Sequence, residues 1–265
     1  MEDTALPPVW RETYTIRTRD LDGTGRLSVA ALSAMLLDAA GIHAHELGLA
    51  VTDLMGDNNT WVLSRFGVNI IGQLEPRDTI TITTWPSGID RLSAIRDFAI
   101  TGPDGVPAGS ASSSWLVIDL ETRRPIRVEP FLRKISPELA FRPGHGVLPK
   151  LPDLATPAWE CRLPVRWSDI DFNRHVTSTS YIGWALESVP PDLREKRAMT
   201  GFEINFRAET FFGETIISQS RSVDGSGDTI LHRITSEQDG RELARARSIW
   251  EAGGKERMQG SGTER

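Results

Sequence analysis

The sequence predicts an α+β chain made of two copies of one unit, each a helix followed by an antiparallel meander of four strands. Three observations carry this. The hydrophobic period changes from helical to alternating in the first half. The same change recurs in the second half. The corners that precede the two helices also align without a gap, RDLDGTGRLSVAALSAMLLDA on SDIDFNRHVTSTSYIGWALES. Such internal similarity marks two copies of one supersecondary unit. A helix with one apolar stripe buries it against the sheet beside it.

In the first copy, ETYTIRTRDLD reads as a strand, with Tyr14 and Ile16 of strand-favouring types. A corner with Gly23 and Gly25 follows, and Ser28 is placed to cap the next helix. Leu32, Met35, Leu36 and Ala39 then recur at helical spacing, and the helix closes near Gly48. WVLSRFGVNIIG, DTITITTWPSG, LSAIRDFAITGPDG and GSASSSWLVIDLETRRP read as four strands punctuated by Gly, Pro and Asp, the last two forming a hairpin.

Residues 131–158 are heavy in Pro and Gly and weakly periodic, which predicts a connector packed on the surface. In the second copy, ECRLPVRWSDIDFN is a strand and a corner. STSYIGWALESVPPDL is a helix ending near Pro190 and Pro191. MTGFEINFRAETFFG, ETIISQSRSVDG, DTILHRITSEQDG and RELARARSIWEAG are four more strands. The tail GGKERMQGSGTER is expected to be frayed.

Composition narrows the function. The formal net charge of −6 argues against nucleic acid as the main partner. A single cysteine, Cys161, rules out an intrachain disulfide and a thiolate zinc site, and its strand context suits a buried, inert thiol. The N-terminus is acidic without an apolar core, unlike a signal peptide, and no apolar run is long enough for a membrane helix. These features predict a cytoplasmic protein without membrane insertion.

The two copies diverge where chemistry can sit. Asp20 and Asp22 of the first corner meet Asp169 and Asp171, but Thr24 meets Asn173 and Arg26 meets His175. Farther on, PRDTITI lies on FGETIIS, which puts Gln73 opposite Glu209. One copy therefore carries a polar set that the other lacks, a working half beside a scaffold half. Each residue also has a plainer reading. Asn173 suits a turn, His175 a helix entrance, and Glu209 a surface carboxylate paired with Arg207 or Arg221. Asp169 reads as corner architecture, and Asp171 divides evenly between architecture and catalysis. Asp171, Asn173 and His175 are also metal-donor types, but the only distant histidine in this half is His232, so a metal is the lesser reading. His43 reads as a helix-surface or pocket-wall residue.

WSDIDFNRHVTSTSYIGWALESVP and EINFRAETFFGETI resemble the acyl-acyl carrier protein thioesterases of plants and their bacterial relatives, and the order of WVLSRFGVNI, PRDTITITTWP and DRLSAIRDFAI fits as well. The resemblance covers roughly residues 10–250. It implies a tandem (double) hotdog fold, two antiparallel sheets each wrapped on a long helix. The expected boundaries are 8–135 for the N-terminal hotdog domain with the acyl-chain pocket, 136–158 for a linker, 159–252 for the C-terminal catalytic domain and 253–265 for a disordered tail. It implies hydrolysis of fatty acyl-acyl carrier protein by carboxylate-assisted attack of water, with Asp171, Asn173, His175 and Glu209 as the catalytic set and no cofactor or metal. Glu209 is the expected base, dried by Phe211 and Phe212, and the backbone from His175 to Ser178 is the expected oxyanion site.

Two positions depart from the family pattern. Thr210 stands where the family often has cysteine, and Thr177-Ser178 where it has Asn-Asn. The partner is an acyl carrier protein or acyl-CoA, and the chain is a monomer or homodimer. Arg123, Arg124, Arg127, Arg133 and Lys134 are candidates to steer an acidic carrier, although such a cluster also suits a solvated surface. Met35, Trp61, Leu63 and Phe66 are candidates to line the acyl tunnel. Alternatives within reach are an acyl-CoA thioesterase with the same site, an inactive acyl- or carrier-binding module, and a dehydratase on paired hotdog units.

Overall fold

In the computed structural model, which describes residues 9–72, 74–132, 146–171 and 174–252, the two meanders form a single continuous sheet. The first half runs β1 (Trp10–Thr15), α1 (Val29–Glu46), α2 (Val51–Met55), β2 (Asn59–Ile70), β3 (Thr79–Asp90), β4 (Ser93–Thr101), β5 (Pro107–Asp119), β6 (Pro125–Ile126) and α3 (Glu129–Leu132). The second half runs β7 (Trp159–Pro164), α4 (Ser178–Glu187), α5 (Pro191–Lys196), β8 (Arg197–Phe206), β9 (Thr215–Ser222), β10 (Thr229–Ser236) and β11 (Glu242–Ala252). The strand order is β1-β3-β4-β5-β2-β8-β11-β10-β9-β7, with β6 on β5. This is the tandem hotdog arrangement, two antiparallel half-sheets each carrying a helix.

The halves join where β2 and β8 pair antiparallel, from Arg65↔Asn205 to Asn69↔Gly201. At the middle of that seam Gly67 faces Glu203. These two residues are aligned in the internal repeat, so the seam lies on a pseudo-twofold axis. Pairing the two copies edge to edge removes one exposed edge from each half-sheet. On the helix side, Phe66, Val68, Phe202 and Ile204 of the seam join one apolar cluster with Leu32 and Leu36 of α1 and Ile182 and Ala185 of α4. Removing such a side chain from a packed core costs about 2–5 kcal/mol.

On the opposite face the connector crosses the seam. Leu148, Leu151 and Leu154 are buried. The Leu151 N–H donates to Asn205 Oδ1 at 2.9 Å, and an Arg65 Nη1 donates to the Leu148 carbonyl. A Cβ at Gly67 would stand 2.8 Å from Leu148 Cδ2, so glycine on the axis lets the connector lie close.

Local details follow the residue types. Ser28 caps α1, its Oγ accepting from the Ala31 N–H at 3.1 Å. The second helix is interrupted. α4 ends at Glu187, and Pro191 opens a separate α5 at a position where a missing N–H is tolerated. His43 is fully buried rather than on a helix surface, stacked on Trp10 and 2.9 Å from Arg96 Nη1. Cys161 is only half buried, and desolvation, with Glu187 nearby, pushes its thiol up from the ordinary value. The residues expected to fray, 253–265, and Arg133 and Lys134 of the basic cluster lie outside the described residues.

Candidate active site

Both corners fold alike, and their aspartates explain why. Asp20 Oδ2 accepts the Arg17 N–H at 2.8 Å, and Asp169 Oδ2 accepts the Arg166 N–H at 2.7 Å. The Asp22 N–H donates to the Arg26 carbonyl at 2.8 Å, and the Asp171 N–H donates to the His175 carbonyl at 2.8 Å. Asp22 Oδ1 accepts from Thr24 and Arg26 N–H groups, and Asp171 Oδ1 from the His175 N–H at 3.2 Å. A short polar side chain that bonds its own loop backbone is a turn device. Asp171 thus has the architectural share that its counterpart Asp22 has. Asp169 also accepts the Ser180 hydroxyl at 3.1 Å, which ties the corner to α4.

His175 is exposed at the corner, and Asn173 lies outside the described residues. Thr177 caps α4 through the Thr179 N–H. The His175, Thr177 and Thr179 N–H groups are all spent within the corner. Ser178 is the first helical residue, and its N–H has no partner among the described residues. Of the expected oxyanion donors from His175 to Ser178, the Val176 and Ser178 N–H groups therefore remain on hydrogen-bonding grounds.

Glu209 lies beyond the strand expected to carry it. The Arg207 and Ala208 N–H groups both donate to the Leu243 carbonyl, and the chain leaves the ladder after Phe206. A bend from Arg207 to Glu214 is fixed by three contacts. The Tyr181 hydroxyl donates to the Ala208 carbonyl at 3.3 Å, and the Thr210 hydroxyl donates to Glu214 Oε2 at 2.6 Å. The Phe211 N–H approaches the same Glu214 oxygen at 3.3 Å. Burial pushes the Tyr181 phenol well above its ordinary value, so it stays a proton donor. Tyr181 is one turn into α4, so the helix that starts at the corner rests on the segment carrying Glu209. Thr210, where the family often has cysteine, is 1% exposed and faces inward.

The Glu209 carboxylate itself is half exposed and pairs with Arg123, Nη2 to Oε2 at 3.1 Å. The dry setting expected from Phe211 and Phe212 is absent: both rings are exposed, and Phe212 meets Trp167 edge-on at 5.5 Å. Neither Arg207 nor Arg221 is the partner. Arg207 is 3.8 Å from Glu242, and Arg221 donates to the Thr156 carbonyl. Arg123 comes from the turn after β5 of the first half, with a left-handed φ of 56°. Asp119 organises that turn by accepting the Thr122 N–H and hydroxyl, which hold its carboxyl below the ordinary value. Arg123 is one of the cations expected to steer a carrier. Its pairing across the seam left no trace in the local pattern.

Among the described residues no cluster of His, Cys, Asp and Glu stands ready to hold a metal ion. His232 is fully buried and spends both ring nitrogens, Nδ1 on the Ala185 carbonyl and Nε2 on Ser248 Oγ, each at 2.8 Å. Of the tunnel candidates, Leu63 and Phe66 are core residues, Met35 packs against the core, and Trp61 Nε1 donates to the Leu49 carbonyl.

Residues 7–135 match the acyl-ACP thioesterase N-terminal domain, and residues 155–252 match the acyl-ACP thioesterase C-terminal domain. The chain belongs to the acyl-ACP thioesterase family. Among solved structures, an acyl-ACP thioesterase from Bacteroides thetaiotaomicron is 28% identical, with a TM-score of 0.81 over 92% of this chain and 98% of that one. The chloroplastic palmitoyl-acyl carrier protein thioesterase of Cuphea hookeriana is 26% identical over 91% of this chain and 62% of its own length. The chloroplastic oleoyl-acyl carrier protein thioesterase 1 of Arabidopsis thaliana is 25% identical over 91% and 75%. The chain thus spans a little under two thirds of the length of the Cuphea enzyme.

The cytoplasmic placement is corrected by these acyl-ACP thioesterases, since the curated plant relatives are named as chloroplastic. The lack of an apolar N-terminal core bears only on an export segment. An organelle address is amphipathic rather than apolar and escapes that test.

Proposed function

We propose that this acyl-ACP thioesterase family member hydrolyses fatty acyl-acyl carrier protein to a free fatty acid and holo-carrier protein, with Glu209 as the base. The observation that carries the reading is the placement of Glu209. An arginine of the other half pairs with its carboxylate, and the segment that carries it rests on the helix leading out of the Asp171–His175 corner. Family membership and the structural likeness to the Bacteroides enzyme support it.

In this reading Glu209 and Asn173 hold the attacking water. Its proton passes to Glu209 as its oxygen bonds the thioester carbon. The carbonyl oxygen, now negative, is met by the Ser178 N–H and by His175. The C–S bond then breaks, and the proton returns to the departing sulfur of the phosphopantetheine arm. Asp171 holds the loop on which Asn173 and His175 stand. Thr210 takes no covalent part, because it is buried and committed to Glu214. The first half, residues 8–135, takes the acyl chain, and the second, 159–252, supplies the catalytic residues.

The exposed Arg124 and Arg127 flank Arg123 and β6 beside the site, where they would attract an acidic carrier. Relatives at 26% and 25% identity are named for palmitoyl and for oleoyl chains, so overall identity does not select a chain length. Thiol release from matched acyl-carrier-protein and acyl-CoA panels tests the reading. Higher kcat/KM on the carrier supports it, higher kcat/KM on acyl-CoA moves the substrate to the cofactor, and no release with either removes the enzyme reading.

A further inference from the structure

A cavity of about 440 Å³ opens between the start of α1 and the end of α4, a size within the usual range for small-molecule sites. Its first-half wall includes Asp22, Arg26, Ser28, Ile70 and Leu74. In the repeat these are the counterparts of Asp171, His175, Thr177, Phe206 and Thr210. Its second-half wall includes Gly183, Leu186 and Glu187 of α4, Arg194 of α5 and Met199 of β8. The cavity is therefore the active-site position of the scaffold copy, related to the candidate site by the pseudo-twofold axis at Gly67 and Glu203. It keeps a cleft but has lost the acid-base set, with Arg26 in place of His175 and Thr24 in place of Asn173.

We propose that this cavity binds a fatty acid without reacting, its carboxylate at Arg26 and its alkyl chain along the apolar wall. One Arg26 nitrogen, Nη1, donates to the Arg197 carbonyl at 2.6 Å, and the guanidinium has no carboxylate partner among the described residues. Val29 and Ala30 also line the cavity, and their N–H groups have no partner among the described residues, because Ser28 Oγ covers Ala31. A cation beside free helix N-terminal amides favours an anion. The remaining wall is apolar, from Leu27, Leu32, Ile70, Leu74, Leu186 and Met199.

The charge balance selects the class of anion. Asp22 and Glu187 line the same cavity; Arg194 stands 3.7 Å from Glu187, and Asp22 Oδ1 is taken by the Thr24 and Arg26 backbone N–H groups, so the Arg26 guanidinium is the cation left without an ion-pair partner among the described residues. That suits a single carboxylate on an apolar chain. A polyphosphate head such as that of coenzyme A would meet two carboxylates with too little positive charge to offset them. The inference rests on the proposed hydrolysis only for its ligand class, since a fatty carboxylate is that reaction's product.

The test is a calorimetric titration of the full chain with dodecanoate and with dodecan-1-ol. A Cβ at Gly183 meets nothing within 4 Å, so Gly183→Leu fills the cavity while removing a glycine from a helix interior. Gly183→Leu is expected to weaken dodecanoate binding roughly tenfold or more. Arg26→Met is expected to weaken dodecanoate roughly tenfold and to leave dodecan-1-ol within about twofold. No dodecanoate binding by the native chain, unchanged affinity in Gly183→Leu, or equal loss of both ligands in folded Arg26→Met overturns the proposal. Thiol release measured on the same Gly183→Leu sample separates the two readings. Hydrolysis with no Gly183-sensitive binding removes only this site. Gly183-sensitive binding without hydrolysis by the native chain removes only the thioesterase reading.

Discussion

Arg123 and Glu209 are 86 residues apart in the chain and 3.1 Å apart in the structure, one from each half. Both side chains are largely exposed, so the pair adds at most about 1 kcal/mol to folding. Its consequence lies in where it holds the carboxylate. Arg123→Asn keeps a residue that tolerates the left-handed backbone of that turn. It is expected to leave the unfolding midpoint nearly unchanged while kcat on acyl-carrier protein falls by about tenfold. Equal loss of stability and rate would make the pair merely structural.

Thr210 offers a second test. Thr210→Val removes the donor to Glu214 and is expected to cost about 1–2 kcal/mol in a denaturant titration and to lower kcat by loosening the bend. Thr210→Cys installs the residue often found in the family at a position 1% exposed. Its turnover is expected to resist iodoacetamide. Rapid inactivation of Thr210→Cys by that reagent would show the position to be open.

The two corners predict a matched pair of variants. Asp22→Ala and Asp171→Ala each remove a carboxylate that bonds its own loop. Both are expected to lower stability by about 1–2 kcal/mol. Only Asp171→Ala is expected to lower kcat of the folded protein, because Asn173 and His175 stand on its loop alone. Equal loss of kcat in both variants would contradict the division into working and scaffold corners.

His232 sets an acid limit on stability. Burial lowers its pKa from the ordinary 6.5 to about 4, so the folded chain keeps it neutral. Between those values the unfolded chain binds the proton and the folded chain does not, so stability falls as pH drops from 6.5 toward 4 and this contribution levels off below it. The loss is about 3 kcal/mol at most. Urea midpoints of native protein and His232→Gln across that window test it: the native curve should fall more steeply, and parallel curves would discard the assignment.

The helix start at Ser28, the two meanders and the equivalence of the corners were legible because each rests on local residue chemistry. Capping, period and turn-forming aspartates act within a few positions. The Pro190-Pro191 pair reads locally as a helix end, yet proline at a first helical position also begins a helix, and α5 starts at Pro191. The strand expected through Glu209 ended early because Leu243 draws off the Arg207 and Ala208 N–H groups, a long-range competition with no local mark. The Arg123 pairing and the connector across Gly67 likewise depend on how the halves meet. The repeat contained that geometry, since Gly67 and Glu203 are both aligned and paired, but only the sheet register reveals it.

The proposed role of Glu209 as the base of a thioester hydrolysis is tested by thiol release from acyl-carrier protein, measured for the native chain and for Glu209→Ala with unfolding midpoints in parallel. Turnover by the native chain and a fall of about 100-fold or more in a folded Glu209→Ala are expected. Unchanged turnover in that variant would contradict that role.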